Sequence, residues 1–312
     1  MFASARAYGE RFTERKVRTL FVDGHGLENK PWIKLAASDK ESLAILIKLL
    51  GQSKTGKFLL NLARQQAGKQ MKNLSEVIKA GNNSITDTTL IRKFSASDPN
   101  EIKYEGRATV YLDRGLTVMD GLLDLAHELT HFVMRKAFNP YVKNFSFKEF
   151  LISTVEGKGG EVDAYLVECQ VYKELYPGKF YKNSNCLKVY DQKSGKFSKS
   201  KGIKSFYQIG KFLHEFKKTV NIMQLQETDF PHISGGEPLF ISSAYGLPYP
   251  VAAMEEYRSI LGKVCRNDYR RLGYLKKQQL RFPASVSADG SHWQDLNSKL
   301  VRKCRGIANT QI

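Results

Sequence analysis

The apolar positions of the chain recur at two different spacings, and the changes between them mark out its elements. Ser38-Asp39-Lys40-Glu41 has the spacing of a capping box and leads into Leu43, Leu46, Ile47 and Leu50, which predicts a helix ending near Gly51. Phe58, Leu59, Leu62 and Ala63 predict a second helix, and Met71 to Ala80 a third that Gly81-Asn82-Asn83 stops. The N-terminal third therefore reads as mainly helical. From Arg107 to Asp113 the pattern turns β-branched and aromatic (Ala-Thr-Val-Tyr-Leu), a strand signal. Met119 to Lys136 then gives the clearest helix, with Leu122, Leu125, Leu129, Phe132 and Val133 at helical spacing and Asn139-Pro140 as its stop.

A linking stretch rich in Phe (Phe145, Phe147, Phe150) follows, and Gly159-Gly160 precedes another helical pattern, Glu161 to Leu175, ended by Pro177-Gly178. Residues 178 to 204 read as a basic loop and Phe206 to Met223 as a helix. Phe230 to Pro250 reads as a Pro- and Gly-rich loop, and Val251 to Leu280 as a helix with abundant Arg and Lys. The expected fold class is helix-rich α/β (α+β). Residues 1–104 form a mainly helical N-terminal region, 105–225 the core, and 226–312 the Pro/Gly-rich loop with a basic helical C-terminal region.

Composition narrows the classes. A chain of 312 residues with 42% hydrophobic content can bury a core. The longest apolar patch, Leu43 to Leu50, contains Lys48 and is far short of the roughly 18 residues of a membrane-spanning helix. Arg6, Glu10, Arg11, Glu14, Arg15, Lys16 and Arg18 interrupt any secretory h-region, so the sequence as it stands reads as cytoplasmic, or as secreted if a leader has been removed. Cys169, Cys186, Cys265 and Cys304 make no CxxC pair, which excludes a zinc ribbon; they allow two disulfides, but the reading leans to buried free thiols. The net charge of +18 implies non-specific attraction to anionic polymers. Lys193 to Lys204 reads as a solvated loop. Arg266, Arg270, Arg271, Lys276, Lys277 and Arg281, interleaved with Tyr269 and Tyr274, are the better candidate for a polyanion-binding face.

The chemistry concentrates in His127-Glu128-Leu129-Thr130-His131. On a helix, positions i and i+4 share a face, so the two imidazoles can address one metal ion, and Glu128 beside the first can act as base without ligating. Leu125, Ala126, Leu129, Thr130, Phe132 and Val133 surround the motif with uncharged residues, where ionisable groups are costly to bury without a partner such as a metal.

The run from Leu125 to Phe132 resembles the active-site helix of the zincin metallopeptidases. The metzincin spacing is not met, because Phe138-Asn139-Pro140 stands where a Gly and a third His would follow. Glu161, with the small Ala164 three positions on, resembles the third ligand of the gluzincin branch; Glu168 on the same helix face is its rival, and Glu156 or a residue more distant in the chain is the remaining alternative. The resemblance implies Zn2+ held by His127, His131 and Glu161, Glu128 as general base, and a protein or peptide substrate. It also implies an oxyanion donor, for which His232, Tyr245 and Tyr165 are candidates, and a sheet edge, read as Arg107 to Asp113, that pairs with substrate. The alternative is a polyanion-binding protein with a structural zinc site, which requires a fourth protein ligand. His214-Glu215 lacks a second His and reads as incidental, and His25 reads as a turn residue.

Overall fold

The computed structural model describes residues 26–94, 102–136, 138–142, 145–182, 184–281 and 304; the turn expected at His25 and the charged first twenty residues lie outside them. The chain divides into two compact units, one of Met1–Phe138 with Leu151–Ala252 and the other of Asn139–Phe150 with Ala253–Ile312.

The first unit is helix-rich α+β, built around one buried helix. Helix α1 (Asp39–Leu50) starts where Ser38 accepts a hydrogen bond from Glu41 N, and it buries Leu43, Leu46 and Leu50. Helix α2 (Lys54–Lys69) is capped by Ser53 and buries Leu59, Leu60, Ala63 and Ala67, whereas Phe58 stays exposed. After a short α3 (Leu74–Val77) come three strands, β1 (Ile78–Gly81), β2 (Ile85–Phe94) and β3 (Ile102–Asp113), in the spatial order β1-β3-β2. β3 is central, with β1 parallel to its last four residues and β2 antiparallel along its length. Its Val110 and Leu112 are fully buried. Helix α4 (Val118–Met134) follows, with Thr117 accepting from Asp120 N at its start. It packs against α2, β3 and α6 (Glu161–Leu175) and is buried from Val118 to Phe132 except at Asp120, in keeping with its clear apolar pattern in the sequence. Trp32, fully buried, seals the β3–α4 turn by donating from Nε1 to Asp113 O at 2.7 Å.

The helix expected over Met71 to Ala80 is four residues of helix and then β1. Ile78 is buried against β3, and pairing with Val110 to Asp113 overrides the local helical pattern. β2 has no counterpart in the sequence reading, because both of its alternating sets mix polar and apolar residues (Ile85, Asp87 and Thr89 in one, Thr86, Thr88 and Leu90 in the other), so it lacks an apolar alternation. The Phe-rich stretch begins α5 (Phe147–Val155). The basic loop at 178–204 folds into α7 (Pro177–Lys182), a hairpin of β4 (Tyr190–Asp191) and β5 (Lys196–Phe197), and α8 (Lys199–Phe206); the helix expected from Phe206 starts later, as α9 (Leu213–Ile222). Phe180, packed edge-on to Tyr172, Tyr190 and Phe197, supplies this segment with a core of its own.

The cysteines correct the free-thiol reading, since two disulfides join Cys169 to Cys186 and Cys265 to Cys304. The first ties α6 to the turn at Asn185–Lys188 across a separation of 17 residues. Closing a loop of that length contributes about 3 kcal/mol in the chain-entropy picture.

In the second unit, Phe145, Phe147 and Phe150 surround Tyr257, with ring centroids 4.8, 5.6 and 6.0 Å away. Tyr257 lies on α10 (Tyr249–Arg281), whose Val264, Cys265 and Leu272 are buried. No helix among the described residues is long and apolar enough to cross a membrane.

Candidate metal centre

The site is assembled from two helices, α4 and α6, and the loop that leads into α6. His127, Glu128 and His131 lie on α4, where all three are buried because the helix is covered around its middle. Their i, i+4 spacing sets the two imidazole rings edge to face, with centroids 4.8 Å apart. Glu161 is the first residue of α6, after Gly160 as N-cap, and it reaches both rings: Oε2 is 3.2 Å from His127 Nε2 and Oε1 is 3.5 Å from His131 Nε2. One ligand atom from each of the three residues lies within 4.8 Å of the other two, so the group can hold a metal ion.

Glu168, the rival ligand, is two turns along α6 on the same side, and its Oε2 is 3.2 Å from His127 Nδ1. The two carboxylates thus address opposite edges of one imidazole. Glu161 stands on the edge shared with His131, and Glu168 stands behind. His131 is held from behind in the same manner, its Nδ1 donating to Gly159 O at 2.8 Å. A metal-ligating histidine ordinarily gives its remote N–H to a carboxylate or carbonyl, which fixes the ring and its tautomer, and both histidines here are so held.

The loop that places Gly159 O is itself constrained. Gly159 has φ +70°, and a Cβ there would lie 2.5 Å from Arg135 N, so both backbone conformation and space call for glycine. Its N–H donates to Asp163 Oδ2 at 3.0 Å, and Asp163 pairs with Lys199 at 2.7 Å. Earlier in the loop, Glu156 accepts from Tyr207 Oη at 2.9 Å; burial, then the Glu156 charge, raises the Tyr207 pKa and keeps that hydroxyl a donor.

Burial alone lowers the His127 pKa, but hydrogen bonds to Glu161 and Glu168 and the charges of Glu161 and Glu128 outweigh it and raise the value to about 10. For Glu161 burial pushes the pKa up, and the His131 charge with hydrogen bonds to both histidines brings it well below the ordinary value. The field at the cluster therefore favours positive charge, as a cation site requires.

Glu128 is positioned from the sheet. Thr86 Oγ1 on β2 lies 2.8 Å from both the Glu128 carbonyl oxygen and its Oε2, sharing one hydroxyl proton between them. Both β2 and β3 lie against this helix, and the hydrogen bond to Glu128 comes from β2. The segment from Arg107 to Asp113 belongs to β3, the middle strand of the described sheet, paired with β1 over Val110–Asp113 and with β2 as far as Tyr111, so the expectation of a substrate-pairing edge strand there is corrected: the edge strands are β1 and β2.

Of the oxyanion candidates, Tyr165 sits one turn beyond Glu161 on α6, buried with its ring against Phe206 and Phe240. His232 is exposed and meets Tyr207 edge-on, and Tyr245 is 37% exposed in the loop before α10. His214 and Glu215 lie exposed in the first turn of α9. Sequence reasoning missed Thr86, for which no signal existed, and the carbonyl of Gly159, which the Gly159-Gly160 pair signalled only as a helix start. Compared with protein-family models, with curated proteins and with solved structures, the chain finds no match, so the reading of this centre rests on its own geometry.

Proposed function

We propose that the chain is a zinc metallopeptidase resembling the zincins, with His127, His131 and Glu161 as ligands of one zinc ion and Glu128 as general base. The observation that carries this reading is the convergence of two imidazole Nε2 atoms and one carboxylate in a buried cluster whose histidines are both anchored through Nδ1. Two nitrogens and an oxygen are a ligand set of catalytic zinc, which keeps one position open. Among the described residues no fourth His, Cys, Asp or Glu joins the group, which counts against the structural-zinc, polyanion-binding alternative.

Bound there, zinc supplies a Lewis acid that brings the pKa of water to about 7 and polarises a scissile carbonyl. Glu128 takes the proton of the attacking water and passes it to the leaving amine. Thr86 holds that carboxylate by a hydrogen bond from β2, and Glu168 and the Gly159 carbonyl keep both imidazoles presenting Nε2. The outer edge of β2 offers its backbone groups to an extended peptide beside Glu128.

The test is metal content by elemental analysis together with hydrolysis of a fluorogenic peptide library, comparing the parent with Glu128→Gln. About one zinc per chain is expected in both, with a loss of about 10²–10⁴ in turnover in the variant. A chain that takes up no zinc overturns the metal assignment. Zinc uptake with no hydrolysis, or hydrolysis that survives Glu128→Gln, overturns the peptidase assignment.

A further inference from the structure

Helix α10 carries a second feature, remote in kind from the metal chemistry. Lys263, Arg266, Arg270, Tyr274 and Lys277 follow one another at intervals of three or four residues and so fall on one stripe of the helix. All five are exposed, while Val264, Cys265 and Leu272 on the other side are buried. From Lys263 to Lys277 the stripe rises by 14 residue steps, about 21 Å at the helical rise. No acidic residue falls on it: Asp268, the one acid between Arg258 and Arg281, points away by the helical register. Lys263, Arg266, Arg270 and Lys277 have no carboxylate partner among the described residues, whereas other exposed cations such as Lys93, Arg114, Lys199 and Arg258 are paired. The helix is also tied covalently, through Cys265 to Cys304.

We propose that this stripe is a binding site for a linear anionic polysaccharide, sulfated or rich in uronate. Charge complementarity argues for a polyanion: unpaired cations in a row attract one by counterion release, and arginine adds bidentate contacts to sulfate or carboxylate. An anionic bilayer fits less well, because an interfacial helix needs an apolar face to insert and that of α10 is already buried within the protein. Nucleic acid fits less well because two disulfides suit an oxidising, extracellular setting, where acidic glycans are the abundant polyanions. The site would hold the protein on an acidic glycan matrix, and it requires neither a metal nor hydrolysis.

The experiment is titration calorimetry of the full chain with a size-defined heparin octasaccharide, repeated with a DNA duplex of equal charge. For four contacts, raising the salt fourfold weakens binding by about a hundredfold. Two variants divide the stripe, Lys263→Glu with Arg266→Glu and Arg270→Glu with Lys277→Glu, so that a folding failure in one leaves the other. Each is expected to lose affinity at least about tenfold and to reduce the salt slope by about two. The control pair Lys193→Glu with Lys196→Glu, on the exposed β4–β5 hairpin, changes net charge equally and should leave affinity within about threefold. Equal loss in the control shows attraction by net charge alone and overturns the site. Tighter binding of the duplex, with the same sensitivity to the stripe variants, overturns the polysaccharide assignment, and no binding of either overturns both.

Discussion

Glu161 and Glu168 lie on one face of α6 and both touch His127, yet the geometry gives them different work, and substituting each alone separates the roles. Of the two nitrogen-bearing edges of His127, Glu168 meets that of Nδ1, at 3.2 Å, in a buried setting. A hydrogen bond to a charged group contributes about 1.5–3 kcal/mol, and loss of a partner behind a metal-binding histidine typically costs about 10–100-fold in metal affinity, which is the same range. Glu168→Gln keeps an acceptor for the N–H and removes only the charge, so it should weaken zinc binding by about tenfold; Glu168→Ala should approach a hundredfold. Glu161 faces Nε2 of both histidines, so Glu161→Gln removes a ligand as well as the charge that compensates both rings. Its loss should exceed a hundredfold on the same scale, about 2.8 kcal/mol or more. The assay is competition for zinc against a chromogenic chelator at fixed pH, with circular dichroism to confirm folding. If Glu168→Ala abolishes uptake while Glu161→Gln stays within about tenfold of the parent, the assignment of the two carboxylates is reversed and the geometric argument is wrong.

Three further perturbations probe the supports of the centre. Thr86→Val, nearly isosteric, removes the hydroxyl at Glu128 and should lower kcat about tenfold with zinc content and KM unchanged, while Thr86→Ser restores it; an altered zinc content would show that Thr86 acts on the metal and not on the base. Gly159→Ala forces a side chain into φ +70° and against Arg135 N, so it should cost at least about 1–2 kcal/mol in urea unfolding and also weaken zinc binding by displacing the His131 acceptor. Wild-type stability and affinity in that variant would remove the loop from the argument. Glu174 on α6 accepts from Thr55 N at 2.8 Å and Thr55 Oγ1 at 2.7 Å, at the start of α2. Burial raises its pKa, but hydrogen bonds from Thr55 N, Gln170, Thr55 Oγ1 and Ser53 outweigh this and leave it lowered. With the folded-state value depressed, its contribution is present above the ordinary value of 4.5 and is lost as pH falls through the lower folded-state value. Glu174→Gln should therefore cost about 1–2 kcal/mol near neutrality and progressively less in acid, and a pH-independent difference would contradict the linkage.

How far the sequence exposes this structure depends on which physical signal each part leaves in it. The helix-rich α+β class, α1 with its Ser38 cap, α4 and the Glu161–Leu175 span of α6 follow from apolar periodicity and end signals, because those helices bury one face or all faces locally. The sheet leaves a fainter trace. β1 is four residues long and β2 mixes polar and apolar residues in both alternating sets, so their identity is decided by pairing with β3 and not by their own composition. The disulfides are invisible for a similar reason: Cys169 and Cys186 are brought together by the turn after α7, and Cys265 and Cys304 by a return of the chain that no local pattern records.

The metal centre shows the same division at the scale of single side chains. The spacing of His127 and His131 on one helix determines that they can share an ion, whatever surrounds them. Helical spacing of seven places Glu161 and Glu168 on one face equally well and cannot say which edge of His127 each meets. That choice is made by where α6 begins. Gly159, in a left-handed conformation, turns the chain so that Glu161 falls at the first position of the helix, level with both Nε2 atoms, and the same turn points the Gly159 carbonyl at His131. Two turns further on, Glu168 meets His127 from its other edge, at Nδ1. One backbone conformation thus assigns one carboxylate to both inward-facing nitrogens and the other to the support behind, and it does so through a residue that contributes no side chain of its own.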